Sequence, residues 1–137
     1  MPQNATKRQE MTVKTLSIKQ PWAYCIMHLG KDVENRTRRT NIRGTIAIHA
    51  SKKIDYDAYY RLKFNGYELP PIQKLETGKV IGTVELIDCV EEHTSKWKEE
   101  GTYGYVLINP TTLKNPFFAK GQLGFWECEI LENSGEH

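Results

Sequence analysis

The chain has 137 residues, of which 39% are hydrophobic and 26% are charged, and its formal net charge at pH 7 is +2. That length fits one domain with a modest hydrophobic core, and the small net charge excludes the strongly basic balance of a dedicated nucleic-acid binder. No run approaches the roughly 18 apolar residues that a membrane-spanning helix requires. Residues 1–10 are polar and are expected to be a disordered lead-in. They lack the apolar core of a signal peptide or membrane anchor.

The cysteines indicate a compartment. Cys25, Cys89 and Cys128 lie far apart in apolar runs, with no CxxC and no Cys/His spacing. They are predicted to be free thiols, which is typical of a reducing environment. We therefore expect a soluble, cytoplasmic protein. The four histidines are scattered and no phosphate-binding loop is present, so neither a metal nor a cofactor is expected.

The hydrophobic pattern predicts six strands and two helices. A helix over residues 20–29 ends at Gly30, the expected left-handed stop, and Asp55 or Ser51 caps a second helix. In chain order the predicted elements are a strand at 11–18, a helix at 20–29, strands at 33–38 and 44–51, a helix at 56–64, and strands at 79–90, 103–109 and 124–131. Segments 67–78 and 110–123 are predicted to be loops, and the charged segment 91–101 is predicted to be partly helical.

Strands that do not alternate regularly with helices argue against a parallel doubly wound sheet. The pattern instead predicts an α+β fold, a small mixed β-barrel of five to six strands flanked by two or three helices. Alternation along the strands assigns five side chains to the barrel interior. They are Ile46, Ile48, Val84, Leu86 and Leu107.

Charge is unevenly distributed along the chain. Residues 31–53 hold seven basic side chains and two acidic ones, whereas residues 85–100 hold six acidic and two basic ones. Such asymmetry can give one face a positive potential that attracts an anionic partner.

The segment GKDVENRTRR, residues 30–39, concentrates the candidate site residues. On a strand, Glu34 and Arg36 share one face, and Lys31 lies at the preceding turn. If Lys31 swings onto that face, the three groups can bind a planar polar ligand, with Arg36 as a bidentate donor and Glu34 as an acceptor. The alternative is a salt bridge at the rim of the barrel. Spacing alone leaves both interpretations open.

Other side chains could line the same cleft. Gln20 and Trp22 lie at the start of the first helix, where Trp22 is either a stacking platform or a core anchor. His49 and Ser51 share one face of their strand. Lys120 lies in a loop that either closes over the site or is simply solvated.

Taken together, LSIKQPWAYCIMHLGKDVENR, RGTIAIHASKK, VIGTVELIDCV, YGYVLINP and KGQLGFWE resemble the ASCH domain family, in order, over about residues 16–127. The family motif Gly-x-Lys-x-x-Glu-x-Arg is matched by Lys31, Glu34 and Arg36, with Gly30 directly before the lysine. The resemblance implies a PUA-like barrel over residues 11–131, a C-terminal tail at 132–137, and a cleft beside the motif strand. It implies RNA, single-stranded nucleic acid or a modified nucleoside as partner, and a monomer is favoured.

The resemblance also raises an enzymatic alternative. Certain compact bacterial members hydrolyse N4-acetylcytidine with the motif lysine and a threonine three residues later, so Lys31 and Glu34 are the catalytic candidates. Glu34 occupies the threonine's place, and a carboxylate stabilises the protonated lysine, which is a poor base or nucleophile. Hydrolysis of such a ligand, by an amidohydrolase or a ribonuclease, is therefore an alternative to binding. A second alternative is a protein-docking module that uses the acidic residues 85–100.

Overall fold

A computed structural model describes residues 8–133, with the side chains of residues 11–130. The fold is α+β, with one six-stranded mixed sheet and two α-helices. In chain order the elements are β1 (Arg8–Gln20), α1 (Trp22–His28), β2 (Val33–Arg36), β3 (Gly44–Ile54), α2 (Tyr56–Phe64), a 3-10 helix (Ile72–Lys74), β4 (Lys79–Val90), β5 (Tyr103–Phe118) and β6 (Phe125–Asn133). The predicted lead-in and tail fall largely on residues 1–7 and 134–137, which lie outside the described residues.

The strand order is β2-β5-β4-β3-β1-β6. β1 and β3 are parallel, and every other pair is antiparallel. Among the described residues neither β2 nor β6 has a strand on its outer side, so the sheet is open and does not close into the predicted β-barrel. The physical reason is strand length. β2 has only four residues, and the β1–β6 ladder stops at the pair Leu16–Phe125, so the edges cannot exchange backbone hydrogen bonds along a common length.

Side chains join the two edges instead. The Nη2 of Arg36, the last residue of β2, donates to the carbonyl oxygen of Ser17 on β1 at 2.9 Å. Ser17 lies just beyond the end of the β1–β6 ladder. Nearby, the rings of Tyr105 on β5 and Phe125 on β6 stack with centroids 5.9 Å apart. A guanidinium group and an aromatic pair thus bridge the seam that backbone pairing leaves open.

The five predicted interior side chains are all buried, and none is more than 4% exposed. Helix α1 packs against them through Ala23 and Ile26. Its opposite side contributes Cys25 to a second cluster with Tyr59 and Leu62 of α2. Helix α1 therefore lies between the sheet and α2, which fixes the position of the turn that follows it.

Strand β5 is longer than predicted. Residues 110–118, expected to be a loop, continue the strand and pair with β4 from Thr83–Thr111 to Lys79–Phe118. Asn109 bends the strand with a φ of +56°. The ladder has three register shifts, and two of them fall where β5 carries Pro110 and Pro116, which have no N–H to donate. The charged segment 91–101 is also different from the prediction, because it forms turns without a helix.

Replacing Arg36 with Ala should lower the free energy of unfolding by about 1–3 kcal/mol, because the Ser17 carbonyl and the Glu34 carboxylate each lose a charged donor. Urea denaturation of both proteins measures the difference. Arg38→Ala is the matched control, since the exposed Arg38 guanidinium forms no hydrogen bond or ion pair within the described residues. Equal losses in the two variants would contradict a role for Arg36 at the seam.

Cys25 predicts a stability loss at alkaline pH. Burial raises the pKa of its thiol from 9.0 to about 11, and the nearby Lys31 charge opposes that rise only in part. The folded state therefore holds a proton that the unfolded state releases between these values, so stability is complete below about pH 9 and falls as the pH approaches 11. The loss is up to about 2–3 kcal/mol. Denaturation at several pH values should show a shallower decline for Cys25→Ala, and parallel profiles would contradict the assignment.

Candidate functional site

The turn after α1 places Lys31 in the interior. Gly30 has a φ of +75°, which glycine adopts without strain. The backbone N–H of Lys31 donates to the carbonyl of Cys25 at 3.1 Å, so the chain folds back under the helix. The Lys31 residue is only 5% exposed. An ammonium group this deeply buried requires partners, and β2 supplies them.

Glu34 lies between two cations. Its Oε1 is 3.4 Å from the Nζ of Lys31, and its Oε2 accepts from the Nε of Arg36 at 3.1 Å. Glu34 is 8% exposed, and the Lys31 ammonium also donates to the Val33 carbonyl. The three motif side chains therefore converge: Glu34 and Arg36 share a face, as the alternation along β2 predicts, and Lys31 turns onto that face. The carboxylate compensates one of two positive charges, so the group remains net positive.

This ion group forms the floor of a cavity of about 350 Å³. Trp22 of α1 forms one wall and Trp97, from the segment between β4 and β5, forms another. The Nζ of Lys31 lies 5.4 Å from the Trp22 ring centroid and 5.8 Å from that of Trp97. Both distances are within the range of a cation–π contact. We call this cavity the aromatic cleft. Its further lining residues are Asn35, Leu62, Asn65, Tyr67, Lys96 and Glu99.

The residues between the ion partners hold the Trp97 wall in place. Asp32 accepts a hydrogen bond from the Ser95 hydroxyl. Ser95 Oγ in turn accepts from the backbone N–H of Trp97 at 3.0 Å. The Asn35 amide donates to the Trp97 carbonyl at 2.9 Å and accepts from the Glu99 N–H at 2.9 Å. One short segment thus supplies both the floor of the cleft, through Lys31 and Glu34, and the hydrogen bonds that position Trp97, through Asp32 and Asn35.

The other predicted site residues lie elsewhere. The Gln20 side chain is 1% exposed and is used structurally, donating to the Glu76 carbonyl and accepting from the Tyr24 N–H. His49, Ser51 and Lys120 line a separate groove. Of the predicted residues, Trp22, Lys31 and Glu34 line the aromatic cleft, and Arg36 contacts it through Glu34.

The acidic segment is partly neutralised by the basic one. Asp88 lies 3.8 Å from the Arg43 guanidinium, and Glu91 lies 3.5 Å from that of Arg39. All four side chains are largely exposed, so each pair contributes little to stability. The pairs nevertheless show that the basic stretch 31–53 does not form one uniformly positive face.

Sequence analysis missed Trp97, Tyr67 and Lys96. Their rings and ammonium group form one cluster, with the Tyr67 and Trp97 centroids 5.4 Å apart and Lys96 Nζ above both rings. A usable signal was present, because a tryptophan between two lysines is unusual in a charged, turn-rich segment.

Among the described residues, no three His, Cys, Asp or Glu side chains are placed to hold a metal ion. None of the helices in residues 8–133 has the length and hydrophobicity to cross a bilayer.

The sequence that forms this fold matches a known family. The ASCH domain profile matches residues 16–128, which is most of the chain, and the chain therefore belongs to the ASCH domain family. It is similar to Activating signal cointegrator 1 of Homo sapiens, with 27% identity over 134 residues, and of Mus musculus, with 30% identity over 134 residues. Each alignment covers 88% of this chain and 23% of the relative, so the chain spans about a quarter of the length of these curated relatives.

The ion group predicts strongly coupled substitutions. Glu34→Gln should cost about 3–5 kcal/mol of stability, because Lys31 becomes a buried charge without a counterion. Lys31→Met should cost less, since Glu34 keeps Arg36. The double variant, measured by urea denaturation, should lose at least about 1 kcal/mol less than the sum of the single losses. Simple additivity would mean that the two groups do not depend on each other.

Proposed function

We propose that this ASCH domain binds RNA or another single-stranded nucleic acid by receiving one base, ordinary or modified, in the aromatic cleft. The observation that carries the proposal is the Lys31 ammonium, held between two indole rings beside a buried carboxylate on the floor of a cavity. Family membership supports the same class of ligand, because PUA-like domains are best known for holding RNA or modified nucleosides.

The size and walls of the cleft suit a flat ligand. Its volume of about 350 Å³ is near the lower end of the range for small-molecule pockets. Trp97 and Tyr67 offer ring faces, on which an unpaired base gains about 1–3 kcal/mol by stacking. The Trp22 ring is fixed by its Nε1, which donates to Asp55 at 3.4 Å. Walls that are already held in place reduce the entropy lost on binding.

The floor can recognise the edge of a base. Each Glu34 oxygen has one cationic partner and retains a further lone pair, so the carboxylate can accept from a ring N–H or an exocyclic amine. The Lys31 ammonium has three N–H donors, of which the Val33 carbonyl accepts one, and Glu34 lies 3.4 Å from its Nζ as an ion-pair partner. One donor beside one acceptor matches the alternating pattern on the Watson–Crick edge of a base.

The contacts of Lys31 favour binding over hydrolysis. A lysine that acts as base or nucleophile must lose a proton, whereas this one donates to a carbonyl and lies beside a carboxylate. Both partners stabilise the charged ammonium. An amidohydrolase or ribonuclease activity would therefore have to work against the contacts that hold the residue in place.

Trp97→Ala is the direct test. It removes a wall of the cleft and one of the two cation–π contacts of Lys31, leaves the ion pairs of Glu34 in place, and should weaken binding of nucleosides and short RNAs by about 1–3 kcal/mol. Isothermal titration with the four ribonucleosides and N4-acetylcytidine measures the change, and chromatography of the same samples detects any hydrolysis.

Phe64→Ala is the matched control, since Phe64 is 90% exposed and does not line the cleft. It should leave the affinity unchanged. The proposal fails if no nucleoside or RNA binds to the unmodified protein, or if both variants bind equally well. Release of acetate from N4-acetylcytidine that is abolished by Lys31→Ala would instead establish the enzymatic alternative.

A further inference from the structure

A second concave surface lies on the side of β3 that carries His49. It is a groove of about 860 Å³, and we call it the lysine groove after Lys52, Lys53 and Lys120. Its lining includes no acidic side chain. The three lysines are exposed, and within the described residues none of them forms an ion pair or hydrogen bond. Three uncompensated cations around one groove produce a local positive potential.

The groove also has exposed apolar side chains. Phe118 is 76% exposed and Leu123 is 98% exposed. A ring of this kind can stack on a base, and neighbouring lysines can contact phosphates. Unpaired lysines interleaved with an exposed aromatic ring are typical of surfaces that bind single-stranded nucleic acid, whereas a surface lysine in an ion pair already has its counterion.

The loop that carries Lys120 is held in a defined position. The carbonyl of Ala119 can only accept, so the 2.7 Å contact requires the His49 Nε2–H to donate to it. The Nδ1 of neutral His49 then accepts from the Ser17 hydroxyl at 2.9 Å, and the Ser17 oxygen accepts from Trp126 Nε1 at 3.1 Å. Gly121 packs so closely here that an added Cβ would lie 2.9 Å from both His49 Cε1 and Ser17 Oγ. Lys120 therefore projects from a fixed loop.

A basic recess lies next to the lysine groove. This recess, of about 450 Å³, is lined by Arg36 and Arg38 and shares Leu123 with the lysine groove. It too has no acidic lining residue. Arg36 contacts Glu34 of the cleft on one side and the Ser17 carbonyl on the other. The recess therefore adjoins the groove at Leu123, and its Arg36 contacts Glu34 of the cleft.

We infer that the lysine groove binds the phosphodiester backbone of the strand whose base occupies the aromatic cleft. The inference rests on the proposed function and narrows its ligand from a free nucleoside to an oligonucleotide. A nucleoside would use the cleft alone, whereas four uncompensated cations outside the cleft, namely Arg38, Lys52, Lys53 and Lys120, can contact phosphates of a longer strand.

The test is the triple variant Lys52→Gln, Lys53→Gln, Lys120→Gln. A fluorescent single-stranded RNA of about ten nucleotides is titrated by anisotropy between about 50 and 200 mM salt, and nucleosides are titrated in parallel. The triple variant should bind the RNA about tenfold more weakly at the lower salt. The plot of log K against log salt has a negative slope, which should become shallower by about 2, because each lost phosphate contact contributes about 0.7. Nucleoside affinity should not change.

The matched control removes three positive charges outside the groove, with Lys14→Gln, Lys74→Gln and Lys114→Gln. It should leave the slope within about 0.7 of the original value. Loss of RNA affinity in the groove variant alone supports the inference. Unchanged RNA binding in that variant, while nucleosides still bind in a Trp97-dependent manner, overturns the inference and leaves the proposed function intact.

The opposite result separates the two proposals. RNA binding that requires the three lysines but not Trp97, with no nucleoside binding, supports the groove as a phosphate site and overturns the base cleft. Heparin and vesicles rich in anionic lipid are titrated at the same salt concentrations. If either binds as tightly as RNA, the groove is a general polyanion site and its assignment to nucleic acid is overturned.

Discussion

The Glu34 carboxylate is the group on which the rest of the structure depends. It lies between Lys31 and Arg36, and each of these cations has a second task. Lys31 lies between the indole rings of the aromatic cleft, and Arg36 bridges the open seam to Ser17. Without the carboxylate, two positive charges would lie close together in a region largely shielded from water, which is costly. One acidic side chain therefore stabilises both the candidate site and the side-chain bridge across the open seam of the sheet.

This arrangement explains why residues 31–36 are all polar or charged except Val33. Lys31, Glu34 and Arg36 form the ion group, while Asp32 and Asn35 bind the segment that carries Trp97. Val33 is fully buried. A run of charges usually lies in solvent, but here only Asp32 of these six is exposed. The segment serves as a hub between the sheet, helix α1 and the Trp97 wall.

The floor of the cleft could be predicted from sequence because its determinants are local. The two-residue period of a strand places Glu34 and Arg36 on one face, and Gly30 ends α1 so that Lys31 turns inward. The Trp97 wall could not be predicted, because Asn35 contacts Trp97 from 62 positions away in the sequence.

The prediction of a β-barrel failed for a related reason. The outer partner of a strand depends on where distant ladders stop, and the pairing of β1 with β6 ends at Leu16. The prediction of a loop at residues 110–118 was wrong, because register shifts allow the proline-containing part of β5 to stay paired with β4.

The basic stretch 31–53 shows why counting charges along a sequence predicts partners poorly. Lys31 and Arg36 are compensated by Glu34, and Arg39 and Arg43 lie beside acidic side chains that come from the end of β4 and the turn after it. Within the described residues Arg38, Lys52 and Lys53 have no such partner. Lys120, from a loop far along the chain, lines the same groove as the last two. The potential available to an anion is therefore set by the cations that folding leaves uncompensated. A small net charge is compatible with a nucleic-acid surface, because acidic residues pair with some of the basic residues in the stretch 31–53 and leave others uncompensated.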